Sequence, residues 1–216
     1  ICSALDKAQT DLGISSKLIM CFLRHLDEAS AFATLETAGP YLDKITGVGL
    51  DSSELGHPPH LFQRVFSKAA ELGLKRVAHA GEEGPPEYVI EALDLLKVDR
   101  IDHGNRSLED EDLTKRLVNE GMPLTVCPLS NLRLAVVKDM TGHPLKQMLK
   151  LGLKVCVNSD DPAYFGGYMN ENFNSLIDAA GLTRDEIFQL TINGFESSFL
   201  SNAEKQQHLD HNQRMR

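Results

Sequence analysis

The sequence predicts an α/β fold of the (β/α)8 TIM-barrel type, of which this chain carries about six βα units. Three observations lead there. Six short, nearly uninterrupted apolar runs begin at residues 17, 45, 76, 100, 124 and 154, spaced so that one helix fits between each pair. Such runs suit parallel strands buried on both faces. At least four of them end in polar residues, and side chains at the ends of different strands converge only when the strands lie parallel in one sheet or barrel. No GxGxxG follows the first run, so an open dinucleotide-binding sheet has no support. A complete barrel takes about 250 residues; at 216 residues the chain is about two units short.

Residues 17–23 read as the first strand and residues 45–50 as the second. A helix follows between Pro59 and Gly73, where Leu61, Val65, Ala69 and Leu72 recur at helical spacing and Gly73 supplies a left-handed stop. Residues 76–80 and 100–103 form the third and fourth strands. Ser107 is positioned to cap a helix over residues 108–119, with Asp110 in its first turn and Gly121 beyond its end. Residues 124–128 are the fifth strand. Pro144 suits the first position of a helix that Gly152 closes, and residues 154–158 are the sixth strand. Thr183 and Glu186 form a capping box ahead of Ile187, Leu190 and Ile192. No linker or repeat interrupts residues 1–200, which read as one domain. Residues 201–216 are polar and read as a peripheral or disordered tail.

A formal net charge of −9 argues against nucleic acid as a partner, because phosphate binding needs a basic face. No apolar run approaches the roughly 20 residues of a membrane span. Residues 1–4 lack signal-peptide regions and an initiator methionine, so the chain reads as a processed or truncated product. Cys2, Cys21, Cys127 and Cys156 are widely spaced without a CxxC. They read as free thiols in a reducing compartment, which points to the cytoplasm.

The chemistry gathers at the strand ends. His79 closes the third strand, and Glu82 follows across the flexible Gly81. His79 is either a satisfied polar residue or a metal ligand through a neutral ring nitrogen. Glu82 can serve as proton donor or acceptor once partial desolvation raises its pKa; Glu83 reads as solvated or capping. His103, after Asp102, either orients water and stabilises developing charge or is bonded to a backbone carbonyl. Asp160 and Asp161 follow the sixth strand. Two adjacent carboxylates repel if buried, and a metal on one with a donor on the other relieves the conflict; the alternative is an exposed turn before Pro162. His25 and His57 end or follow strands and can line the cleft. His60, His143, His208 and His211 read as helix-boundary or tail residues, the last two solvent-exposed.

His79-Ala80-Gly81-Glu82, Asp102-His103-Gly104, Cys127-Pro128-Leu129-Ser130-Asn131 and Ser159-Asp160-Asp161-Pro162 occur in this order along the chain. In order and spacing they resemble the adenosine/adenine deaminase family over nearly all residues up to about 200. Residues 49–54 and 159–168 look more like its adenine deaminase branch. The resemblance implies a zinc-dependent barrel of the amidohydrolase superfamily. It implies His79 and Asp160 as zinc ligands, Glu82 and His103 as catalytic groups and Asp161 as a substrate contact. Glu82 would share a proton with purine N1, His103 would position the attacking hydroxide, and Asp161 would bond N7. The implied reaction converts adenine to hypoxanthine and ammonia, in purine salvage. The family also carries an HxH pair on its first barrel strand, supplying two more zinc ligands. No HxH occurs here, and the six strands correspond to the third to eighth of that barrel. The chain therefore reads as the C-terminal part of the enzyme, with a small purine substrate and no nucleic-acid or membrane partner. Rival readings are deamination of N6-substituted adenine or adenosine, and a non-catalytic purine- or partner-binding fragment.

Overall fold

The computed structural model describes residues 1–215. Six strands form one parallel sheet: β1 (Ile19–Leu23), β2 (Gly47–Asp51), β3 (Lys75–Ala80), β4 (Arg100–His103), β5 (Pro123–Val126) and β6 (Lys154–Val157). Their order in the sheet is their order in the chain, with no reversal. Parallel crossovers are right-handed, so a sheet whose order never reverses carries its helices on one face. This is the winding of a barrel wall, and it leaves the other face to line an interior. The expected strands begin within two residues of the observed ones.

The helices that cover the wall follow from ordinary punctuation. Preceding β1 is α1 (Cys2–Leu12), and α2 (Glu28–Thr37) starts at Asp27, whose side chain accepts from the Ser30 N–H. Next, α3 (Gln63–Glu71) buries Val65, Phe66 and Ala69 against the sheet, while Leu61 and Leu72 of the expected stripe flank the helix and stay exposed. Short α4 (Pro86–Glu91) begins on a proline. The cap of α5 (Glu111–Glu120) is Asp110 rather than Ser107: its carboxylate accepts from the N–H groups of Asp112 and Leu113 at 2.9 and 3.0 Å. Gly104, at φ +76°, turns the chain into a single 3-10 turn, Asn105–Glu109, which uses Ser107 before the helix can start. Gly121 closes α5 in the left-handed conformation, as expected.

Beyond β5 come α6 (Pro128–Arg133) and α7 (Leu145–Lys150), the latter with Pro144 just before its first residue. After β6 come α8 (Pro162–Phe165), α9 (Met169–Ala180), α10 (Arg184–Ser197) with its Thr183–Glu186 capping box, and α11 (Asn202–Met215). The tail expected over residues 201–216 is thus largely this helix, with Arg216 outside the described residues. It is held to α10: His208 stacks on Phe195 with ring centroids 4.6 Å apart, and Lys205 donates to the Glu196 carbonyl at 2.7 Å. His208 is accordingly half-buried, not solvent-exposed as its polar surroundings suggest.

One apolar core runs the length of the wall, including Val48, Leu50, Phe66, Ala78, Ile101, Leu124 and Val155. All four cysteines are free; Cys127 and Cys156 are buried. No helix among the described residues is long and apolar enough to cross a membrane.

Candidate active site

The register of the wall decides which side chains meet. β3 and β4 pair with His79 opposite Asp102 and Ala80 opposite His103. Beyond Ala80 the chain turns through Gly81 at φ +72°, where a Cβ would come within 2.7 Å of the Val89 side chain. Only glycine satisfies both the backbone conformation and that close approach. The turn is then fastened from below. The carboxylate of Glu54, fully buried, accepts from the N–H groups of Gly81, Glu82 and Glu83 at 2.7, 3.0 and 2.8 Å. Arg24 is also fully buried. Its guanidinium donates to the His57 carbonyl at 2.8 and 2.6 Å and to the His79 carbonyl at 2.7 Å. The chain ends of β1, β2 and β3 are therefore locked together by charge-assisted bonds to backbone.

On this base the side chains gather. His79, Glu82 and His103 present ligand atoms all within 4.8 Å of one another, and so do His103, Cys127 and Asp160. The His79 and His103 rings meet edge to face at 4.5 Å. His79 Nε2 lies 3.5 Å from Asp51 Oδ1, at the end of β2. His103 Nδ1 lies 3.1 Å from Glu82 Oε1, and that same oxygen accepts from Asn131 Nδ2 at 2.9 Å. Under His103, Asp102 accepts from Thr125 at 2.5 Å and from Arg100 at 3.0 Å. His103 and Asp160 both hold positive φ, +69° and +54°. Such conformations cost of order 1–3 kcal/mol in residues other than glycine and cluster at functional sites.

The electrostatics follow from burying several carboxylates beside two imidazoles. Removal from water pushes the Glu82 carboxyl up to about 7; the charges of Asp160, Glu54 and Glu83 add to this and His79 opposes it. Burial, reinforced by the neighbouring His79, holds His103 well below the usual histidine range, so its ring is neutral. Burial also works against charge on His79, but Asp51, Asp102, Glu82 and Asp160 outweigh it and raise its pKa. Burial raises Asp51. A carboxyl that titrates near neutrality beside a neutral imidazole can give and take a proton at physiological pH.

The structure thus brings together His79, Glu82, His103 and Asp160. It does not bring in Asp161, which is exposed and starts α8 through its backbone carbonyl. His25 is exposed and pairs with the Ser52 hydroxyl at 2.7 Å; His57 contributes its carbonyl to Arg24. Sequence reasoning missed Asp51, Arg24, Glu54 and His143. Asp51 had a readable signal, since it ends a strand as His79 does; the others become visible only when the loops are folded together.

The donor set suits zinc, which takes imidazole nitrogen and carboxylate oxygen. Asp51 Oδ1 is sealed from solvent with no hydrogen-bond partner, His79 Nε2 lying 3.5 Å away, and an orphaned buried polar atom of this kind marks a functional site. The residues fit the ion, although His79 and Asp160 alone are fewer than the three protein ligands of a catalytic zinc.

Residues 1–214 match the family model described as adenosine deaminase. The chain belongs to the adenosine deaminase family. Over 209 residues it is 65% identical to adenine deaminase of Sphingopyxis alaskensis, covering 97% of this chain and 61% of that protein. Among solved structures, adenine deaminase from Arthrobacter aurescens superposes with TM-score 0.97 at 50% identity, covering 99% of this chain and 65% of that one. An amidohydrolase from Burkholderia ambifaria with bound zinc gives 0.92 at 29% identity, covering 99% and 60%. The chain therefore spans about 60% of the length of the curated relative it matches, and the six-stranded parallel wall is that part of the family's barrel.

Proposed function

We propose that the protein containing this chain deaminates adenine hydrolytically, giving hypoxanthine and ammonia. The observation that carries this reading is the Glu82 carboxyl, buried beside two histidines and pushed up to about 7. In that range it can hand a proton to a purine ring nitrogen and take one back from water. The naming of the relatives at 50% and 65% identity as adenine deaminases supports the choice of substrate.

His79 and Asp160 are the residues that would hold zinc, and the two further histidine ligands of a complete site would come from outside residues 1–216. A bound zinc ion supplies the Lewis acidity that makes water nucleophilic at neutral pH. Glu82 protonates N1 of the base, which lets the ring accept electrons as C6 is attacked. Neutral His103 orients the attacking water, and Asp102, bonded by Thr125 and Arg100, keeps its strand end in register. Asp161, exposed at the start of α8 and outside the cluster of buried groups, is assigned the contact to N7 of a base bound along that loop. Water adds at C6, the N1 proton balances the charge, and ammonia leaves with a proton relayed through Glu82. Residues 1–200 form the C-terminal part of a single barrel domain, and residues 201–216 are peripheral to it. The four free cysteines support a cytoplasmic setting.

Ammonia release from adenine, adenosine and N6-substituted adenines, measured side by side on the intact zinc-loaded protein, tests the reading. Turnover of adenine well above the others is the expected result. No release from any free base contradicts it, and preference for an N6-substituted base or a nucleoside moves the substrate within the family.

A further inference from the structure

We propose that His143 and Asn131 form a positioning relay that fixes which oxygen of Glu82 carries its proton. The inference rests on the reading of Glu82 as the proton-transferring carboxyl, and its first observation lies well outside that site. The backbone N–H of Leu145, at the start of α7, donates to His143 Nδ1 at 3.2 Å. A ring nitrogen that accepts carries no hydrogen, so in the neutral ring the proton is on Nε2. His143 is buried, and burial pushes its pKa down to about 4, which keeps the ring neutral.

His143 Nε2 lies 3.3 Å from Asn131 Oδ1. Its N–H needs an acceptor, so the Asn131 amide turns its oxygen toward the ring. Asn105 Nδ2 donates to the same oxygen at 2.7 Å. Asn105 alone does not decide the matter, because two facing amides can flip as a pair and exchange donor for acceptor. In the flipped pair the Asn131 NH2 would face the His143 N–H, donor against donor. The locked tautomer of His143 is what removes that arrangement.

Asn131 Nδ2 is thereby aimed at Glu82 Oε1, 2.9 Å away. The same oxygen lies 3.1 Å from His103 Nδ1; with Asn131 donating to it and the neutral His103 ring carrying its hydrogen on Nδ1, Oε1 is held as an acceptor on both sides. Glu82 Oε2 has no hydrogen bond among the described residues and is not among the sealed, unpartnered atoms, so it is the oxygen left free of protein partners. In the relay the proton of the neutral carboxyl is carried on Oε2, the oxygen free to meet a base. Were the amides reversed, Asn131 would accept from a proton on Oε1 and the acid would point its hydrogen away from the cleft. Asn131 and His143 are positioning residues: neither needs to touch the substrate.

Nitrogen-detected NMR of the histidine rings tests the relay without any need for turnover. The expected result is the Nε2–H tautomer of His143 in the wild-type intact protein between pH 6 and 8; the Nδ1–H tautomer overturns the proposal. In the intact zinc-loaded protein, His143→Leu should lower kcat for adenine at least about tenfold, with KM changed less than about threefold. His143→Gln, whose amide can donate in place of Nε2–H, should recover most of that loss. Leu and Gln variants equal to each other in kcat, at wild-type zinc content, overturn the relay. A wild-type protein that shows the Nε2–H tautomer but no deamination keeps the geometry and defeats the functional reading instead.

Discussion

At the scale of single residues, the site is defined by which polar groups were taken out of water and what replaced it. His79 gains four carboxylates as neighbours and its pKa rises; His103 gains burial and a second ring, and its pKa falls. The two histidines were readable as candidates because each closes an apolar run. His143 was not, since it lies in a loop before a helix and only the fold carries it to Asn131. Its burial has a consequence for stability. An unfolded histidine titrates near 6.5 while folded His143 titrates at about 4, so between those values the unfolded chain binds more protons. Its contribution is complete above pH 6.5 and is lost as pH falls toward 4, by up to about 3 kcal/mol. Urea titrations across that range should show the decline, and His143→Gln should flatten it; an unchanged slope contradicts the assignment. His79→Ala should abolish stoichiometric zinc in the intact protein, read by metal analysis, and retention of zinc would remove His79 from the ligand set.

At the scale of elements, the turn after β3 shows why part of the site escaped the sequence. Val77, Ala78 and His79 announce a strand end, and Gly81 announces a turn. Nothing in the sequence says that Glu54, 27 residues earlier, supplies the acceptor for three successive N–H groups of that turn. A carboxylate in a loop ordinarily reads as solvated, and an arginine such as Arg24 as exposed. Both are fully buried because the backbone groups they satisfy cannot reach water. Glu54→Ala leaves three N–H groups without an acceptor and should destabilise the chain by about 3 kcal/mol or more in denaturant titration. Gly81→Ala combines positive φ with the contact to Val89 and should cost about 2 kcal/mol. A variant at either position with wild-type stability would show that the turn is not fastened as described. The displaced cap of α5 has the same lesson in smaller form: Ser107 and Asp110 both read as caps, and the left-handed Gly104 settles the choice.

At the scale of the whole molecule, the order of the strands was the most legible property and also the most informative. Six apolar runs at βα spacing gave the wall, and polar ends on successive runs gave one rim to the site. What spacing does not show is closure. Among the described residues β1 and β6 each pair on one side only. Between these edges lies a groove of about 620 Å³, lined by Ile19, Val157, Phe173, Leu190 and Phe195 among others. Unpaired strand edges beside an apolar groove favour association. The 216-residue polypeptide on its own should therefore self-associate in sedimentation experiments; a monomer with a cooperative melt of ordinary stability would contradict this.

The central claim is that Glu82 carries the proton in hydrolytic deamination of adenine. It is tested most directly by comparing kcat for ammonia release from adenine in the intact, zinc-loaded protein and its Glu82→Gln variant. With zinc content matched, the variant should lose about 10²–10⁴ in kcat, the range for a positioned acid–base group. Turnover within about threefold of the wild type would contradict the account.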